Sequence, residues 1–138
     1  MNNKAFTLME LLTIIVVLSV IALITIPLIN DTLQDSKRKI SQNSAQQYKK
    51  AVDEYILQQQ MKKKDIILNG TYNINSHGYL VKNRETHEIE FTGKKPENGK
   101  FIYANDELQT ACITINGYKI TFEQDEVVNT EIGICEIN

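Results

Sequence analysis

Between Leu11 and Ile29 the chain carries no ionisable side chain. This run, LLTIIVVLSVIALITIPLI, is about 19 residues long, close to the roughly 20 that a helix needs to cross a bilayer. Three other uses compete for such a segment. A secretory signal peptide wants an apolar region of about 7 to 15 residues followed by small residues at a cleavage site. Here the run is longer, and Thr25, Ile26, Pro27, Leu28 and Ile29 offer no such site. A lipoprotein signal needs a cysteine just after the run, and the first cysteine is Cys112. A core helix that is apolar on every side needs a large surrounding protein to bury it, which the rest of a 138-residue chain can hardly supply. The segment reads as a transmembrane helix.

The overall hydrophobic content of 42% is ordinary, but it is crowded into the first thirty positions. A net charge of -2 gives no reason to expect nucleic acid or an anionic surface as the main partner. Beyond the apolar run the helical pattern persists with a changed character. From Asn30 to about Met61, residues Leu33, Ile40, Ala45, Tyr48, Val52, Tyr55 and Ile56 recur at spacings near three, four and seven among polar neighbours, which describes an amphipathic helix. No Gly or Pro interrupts the stretch between Leu28 and Met61. One helix of about 50 residues is expected, apolar in its first half and packing a stripe on a head in its second.

The head is expected after Lys62, Lys63 and Lys64. Asn69, Gly70, Asn73, Asn75, Ser76 and Gly78 predict a loop-rich connection. Short alternating runs then predict strands at Gly78 to Lys82, His87 to Thr92, Lys100 to Ala104, Ala111 to Asn116, Tyr118 to Glu123 and Glu131 to Glu136. Asn116 and Gly117, between Ile113, Ile115 and Ile120, Phe122, give the strongest hairpin signal, because both turn positions tolerate positive φ. The expected fold class is α+β: a long helix covered by about four or five antiparallel strands.

Glu10 does not suit a plain anchor. A carboxylate near bilayer depth costs on the order of 2.5 kcal/mol or more unless it is paired or near the surface, and Lys4 is the nearby cation. The string Lys4, Ala5, Phe6, Thr7, Leu8, Met9, Glu10, Leu11, Leu12 resembles the processing motif of type IV prepilins, in which a short basic leader is cut before a phenylalanine and a glutamate follows at the fifth position. Pro27 also falls where many members of that family carry proline. The resemblance covers about the first 30 residues; beyond them it is one of architecture. Ala5 stands where the family usually has glycine, and Ser19 where it often has a mid-helix glycine.

The resemblance implies a leader over 1–5, a transmembrane and polymerisation helix over 6–29, an amphipathic helix over 30–61 and a β-sheet head over 62–138. It implies cleavage by a prepilin peptidase between Ala5 and Phe6, N-methylation of Phe6, and pairing of Glu10 with the Phe6 amine of a neighbouring subunit during assembly. Pro27 has two readings, an ordinary kink near the membrane surface or a point of helix extension within a fibre. Lys4 before the span places the leader in the cytoplasm and the head outside. The implied partners are copies of the chain or other pilins, the peptidase, a pilus assembly platform and the membrane. DNA enters only in a competence role. A pseudopilin of a type II secretion or competence system shares the same motif and stays open as the alternative. So does an unrelated single-pass anchor, which leaves Glu10 and the Phe6 to Pro27 register unexplained.

An extracytoplasmic head permits oxidation of Cys112 and Cys135, and their pairing resembles the C-terminal disulfide of many pilins; two unpaired buried thiols are the other reading. No catalytic group, cofactor or metal is expected. His77 and His87 lack the spacing of a zinc protease motif, and Asp106, Glu107, Glu123, Asp125 and Glu126 lack a known calcium-loop signature. Asn69, Gly70 and Thr71 fit a glycosylation sequon, a weak match.

Overall fold

A computed structural model describes residues 5–62 and 69–137. Lys4, Lys63 and Lys64, which enter the sequence expectations, lie outside the described residues. The chain divides into two compact units, one ending at Ser36 and the other beginning at Lys37. A single helix, α1 (Leu8–Met61, 54 residues), contributes to both. Its length and its end at Met61 match the expectation from an uninterrupted run without glycine.

In the second unit α1 buries Ser41, Ala45, Tyr48, Lys49, Val52 and Ile56. The steps of four, three, four and four from Ser41 through Ala45, Tyr48 and Val52 to Ile56 trace one helix face. Two residues expected in that stripe are not in it. Ile40 is 58% exposed and Leu33 is 50% exposed, because counting back four from Ala45 reaches Ser41 and leaves Ile40 on a neighbouring face. Ser41 tolerates burial by donating to the Lys37 carbonyl at 2.8 Å and accepting from Asn116 Nδ2 at 3.3 Å.

Against this face lies a sheet of seven strands: β1 (Gly70–Ile74), β2 (Leu80–Lys82), β3 (Glu85–His87), β4 (Asn98–Ala104), β5 (Glu107–Ile115), β6 (Tyr118–Glu123) and β7 (Glu126–Ile132). The order is β3-β2-β1-β4-β5-β6-β7, with every pairing antiparallel. The α+β arrangement is as expected, and the strand count corrects the expected four or five. β1 forms where a loop was expected, through five paired positions with β4. The strand expected at His87 to Thr92 is instead β3, ending at His87, and the one expected at Glu131 to Glu136 is β7, ending at Ile132. Three two-residue turns place both residues at positive φ: Asn83–Arg84, Asn105–Asp106 and Asn116–Gly117, the conformation that matches strand twist in tight hairpins.

Alternation along β5 explains why it is buried on both sides. Ala111, Ile113 and Ile115 join the helix-facing core with Phe101, Ile120 and Phe122. Cys112 and Thr114 face the other way and are covered by the C-terminal tail, where Cys135 N donates to Thr114 Oγ1 at 2.9 Å and Asn98 Nδ2 donates to the Cys135 carbonyl at 3.2 Å. On β4, Gly99 keeps this layer thin. A Cβ there would lie 2.4 Å from the Cys112 carbonyl oxygen and 2.8 Å from Ile74 Cδ1.

Tyr48 ties α1 to the loop before β2. It is 1% exposed, its hydroxyl donates to the Gly78 carbonyl at 2.8 Å, and its ring meets Phe91 edge-on at 5.6 Å. Tyr48→Phe keeps the ring and removes that donor, so a loss of about 1–2 kcal/mol is expected. It should appear as a lower denaturation midpoint with an unchanged slope.

Burial pushes the phenols of Tyr48 and Tyr103 well above the ordinary tyrosine value of 10.0, and those of Tyr55 and Tyr72 in the same direction. For Lys49, burial pulls its ordinary value of 10.5 down, but its hydrogen bonds to Asp125 and Asp53 outweigh that, and the net shift is upward. A group raised in the folded state contributes fully below its unfolded value and loses that contribution as pH rises past it. All five therefore act in one direction, and head stability should fall steeply above about pH 10. Denaturant midpoints measured between pH 8 and pH 11.5 check this; a midpoint unchanged across the range contradicts it.

Candidate functional site

The first unit is the N-terminal part of α1. From Leu8 to Ile29 its side chains are exposed throughout, and it is long and apolar enough to cross a membrane. Its most apolar window has no buried residue, which sets it apart from the core helix of a globular protein. Thr13, Ser19, Thr25 and Thr32 break the apolar sequence, yet each hydroxyl donates to the carbonyl four residues earlier, at Met9, Ile15, Ile21 and Leu28. This back-bonding satisfies the hydroxyl within the helix. Hydrocarbon provides no other partner, so the helix presents no orphan hydroxyl donor at these positions. Pro27 lies inside the helix, which continues on both sides of it.

Glu10 is held in a way the sequence expectation did not include. Thr7 is the N-cap of α1: its Oγ1 accepts from Glu10 N at 3.3 Å, while Glu10 Oε2 accepts from Thr7 N at 2.9 Å and from Thr7 Oγ1 at 3.2 Å. This is a reciprocal capping box, satisfying backbone donors at both ends of a four-residue segment, with the carboxylate at the positive end of the helix dipole. The sequence signal was present as Thr7-Leu8-Met9-Glu10 followed by an apolar run. Both bonds engage Oε2, and among the described residues Oε1 has no partner. Glu10 therefore has a local reason to sit where it does. Ala5 and Phe6 lie immediately before the cap, and Phe6 is 78% exposed.

In the second unit Cys112 and Cys135 form a disulfide, with Cα atoms 5.9 Å apart. Cys112 sits on β5 as expected; Cys135 sits in the tail after β7 rather than on a strand. His77 is in an exposed turn, and His87 on β3 shares a hydrogen bond of 3.1 Å with the Tyr55 hydroxyl, so the two histidines have separate surroundings. Among the described residues no group of three His, Cys, Asp or Glu is placed to hold a metal ion. Asn69 of the sequon accepts from Asp106 N at 3.0 Å through its side-chain oxygen. Sequence reasoning also missed Lys49, a buried ammonium bonded to Asp53 at 2.9 Å and Asp125 at 2.6 Å. It joins α1 to the β6–β7 turn.

No protein-family model matches the chain, and neither a curated protein nor a solved structure matches it.

Proposed function

We propose that the chain is a structural subunit of the type IV pilin kind, cut by a prepilin peptidase between Ala5 and Phe6, methylated at Phe6, and assembled with its own copies or related pilins into an extracellular filament. The observation that carries this reading is the start of α1. A carboxylate fixed in a capping box stands four residues after an exposed phenylalanine and opens a helix apolar enough for a membrane and free of orphan hydroxyl donors. An ordinary anchor has a use for the cap but none for its charge, since glutamine caps as well and a charge costs about 2.5–3.5 kcal/mol at the bilayer centre and less near the surface. A filament subunit has a use for the charge. When the helix leaves lipid for a bundle of its own kind, Glu10 Oε1 accepts from the cationic amine of a neighbour's Phe6, and only one axial register brings them together.

The same helix holds the subunit in the membrane before assembly, with the head on the extracytoplasmic side. The Cys112–Cys135 disulfide supports that side, since such bonds persist in oxidising compartments. The partners are then the peptidase, a membrane assembly platform and neighbouring subunits; DNA is a partner only if the filament serves uptake. Intact-mass and N-terminal analysis of the membrane-extracted protein tests the processing step. The expected species begins at N-methylated Phe6, and a population that retains Met1 throughout contradicts it.

A further inference from the structure

At one end of the sheet the β4–β5 and β6–β7 turns meet the last turns of α1 around a groove of about 610 Å³. Its walls bring carboxylates from three places: Asp53 on α1, Asp106 and Glu107 at the first turn, Asp125 at the second. Lys49 is bonded to two of them, so four negative charges face one bonded ammonium. Gln60 also lines the groove, and the last turn of α1 contains no basic residue.

Acidic side chains at a surface are usually just solvated. The second observation is Tyr103, which lines this groove, is 6% exposed, and has a buried hydroxyl with no hydrogen-bond partner among the described residues. A buried polar group left unpaired costs about 1–3 kcal/mol, and the hydroxyl of Tyr48, a core tyrosine buried still further, is bonded. Burial first, and then the charges of Asp53 and Asp125, raise the ionisation of Tyr103, so it stays a neutral phenol on the acidic side of the core. Ile56, Leu57 and Leu108 supply an apolar strip along the groove. The carboxylates are not gathered closely enough for a metal ion; they are spread around a space far larger than one ion.

We infer that this groove binds an alkylammonium: a primary amine on an unbranched aliphatic stem, about as long as the four-carbon stem of lysine. The stem lies along Ile56, Leu57 and Leu108, and the ammonium donates to Asp106 and Glu107. The Tyr103 oxygen accepts a further ammonium proton. The ligand is either a free linear diamine or the lysine side chain of a peptide, which share this chemistry. The inference stands on the head alone and does not rest on the filament role.

The test titrates the full chain in detergent micelles, followed by calorimetry and by the NMR signals of labelled tyrosine rings. The probes are 1,5-diaminopentane, Nα-acetyl-lysine N-methylamide, n-pentanol and calcium chloride, all at matched ionic strength. Saturable one-to-one binding of an amine that shifts the Tyr103 ring is expected, with pentanol not binding. Tighter binding of the diamine assigns the site to a free amine, and tighter binding of the lysine amide assigns it to a peptide. Tyr103→Phe and Asp106→Asn should each weaken binding about tenfold. Tyr103→Phe removes a hydroxyl that bonds to nothing among the described residues, so the fold survives it. The inference is overturned by no saturation with either amine, by pentanol binding equally, or by calcium displacing the amine while Tyr103→Phe changes nothing.

Discussion

Glu10→Gln is expected to leave the chain inserted in the membrane and to raise the subunit concentration needed for filament growth by about two to four orders of magnitude. Glutamine is as good as glutamate at the third position of a capping box, so the bonds between residues 7 and 10 survive the change. What is lost is the charge. In a helical bundle that excludes water, removing one partner of a buried ion pair costs about 3–5 kcal/mol, because the other charge is left uncompensated. Glu10→Ala removes the charge and also the capping contribution, which is only about 1 kcal/mol. A helix of 54 residues absorbs that. The two substitutions should therefore impair assembly alike. Normal assembly by Glu10→Gln with failure of Glu10→Ala would mean that Glu10 acts only as a cap. Membrane fractionation, with filament yield measured in parallel, separates these outcomes.

Removing the disulfide is expected to have the largest effect on the stability of the head. Cys112 and Cys135 are 23 residues apart, and closing a loop of that size stabilises by about 3 kcal/mol in the chain-entropy model. For a domain near 100 residues this corresponds to a melting temperature lower by roughly 12–24 °C. The double substitution Cys112→Ala and Cys135→Ala tests it in the same detergent as the parent. The bonds from Cys135 N to Thr114 and from Asn98 to the Cys135 carbonyl remain available. Without the covalent link those two bonds alone hold the tail, so it should fray first, exposing the outer face of β5, while the helix-facing core melts later. Equal melting temperatures for the oxidised parent and the double variant would contradict this.

Much of the architecture was legible in local signals, and the losses have identifiable causes. The helix was readable because nothing between Leu28 and Met61 breaks it and its polar half has a period near 3.6. Its buried face was only half readable. Ser41 and Lys49 are polar residues that burial tolerates through specific partners, whereas Ile40 is apolar and exposed. The Asn116–Gly117 turn announced itself through glycine. Asn83–Arg84 and Asn105–Asp106 adopt the same left-handed pair without glycine, so β3 was misplaced and the start of β5 was missed, while β2 lies within the strand expected at Gly78 to Lys82. β1 looked like a loop because of its asparagines; pairing with β4 overrides that preference. The alternating Ile132, Ile134 and Glu136 suggested a strand. That segment instead leaves the sheet after Ile132, and Cys135 is fixed by the disulfide and two side-chain hydrogen bonds. Thr7 was available as a capping signal and was passed over. The groove around Tyr103 had no sequence signal, because it exists only where α1 and two distant turns meet.

Electron microscopy of sheared cell-surface fractions, with gold-labelled antibody against the head, tests the filament reading most directly. Long filaments decorated along their length are predicted for the parent chain, and their near absence for Glu10→Gln. Recovery of the protein only in membranes, with no labelled filament under conditions where it is abundant, would contradict it.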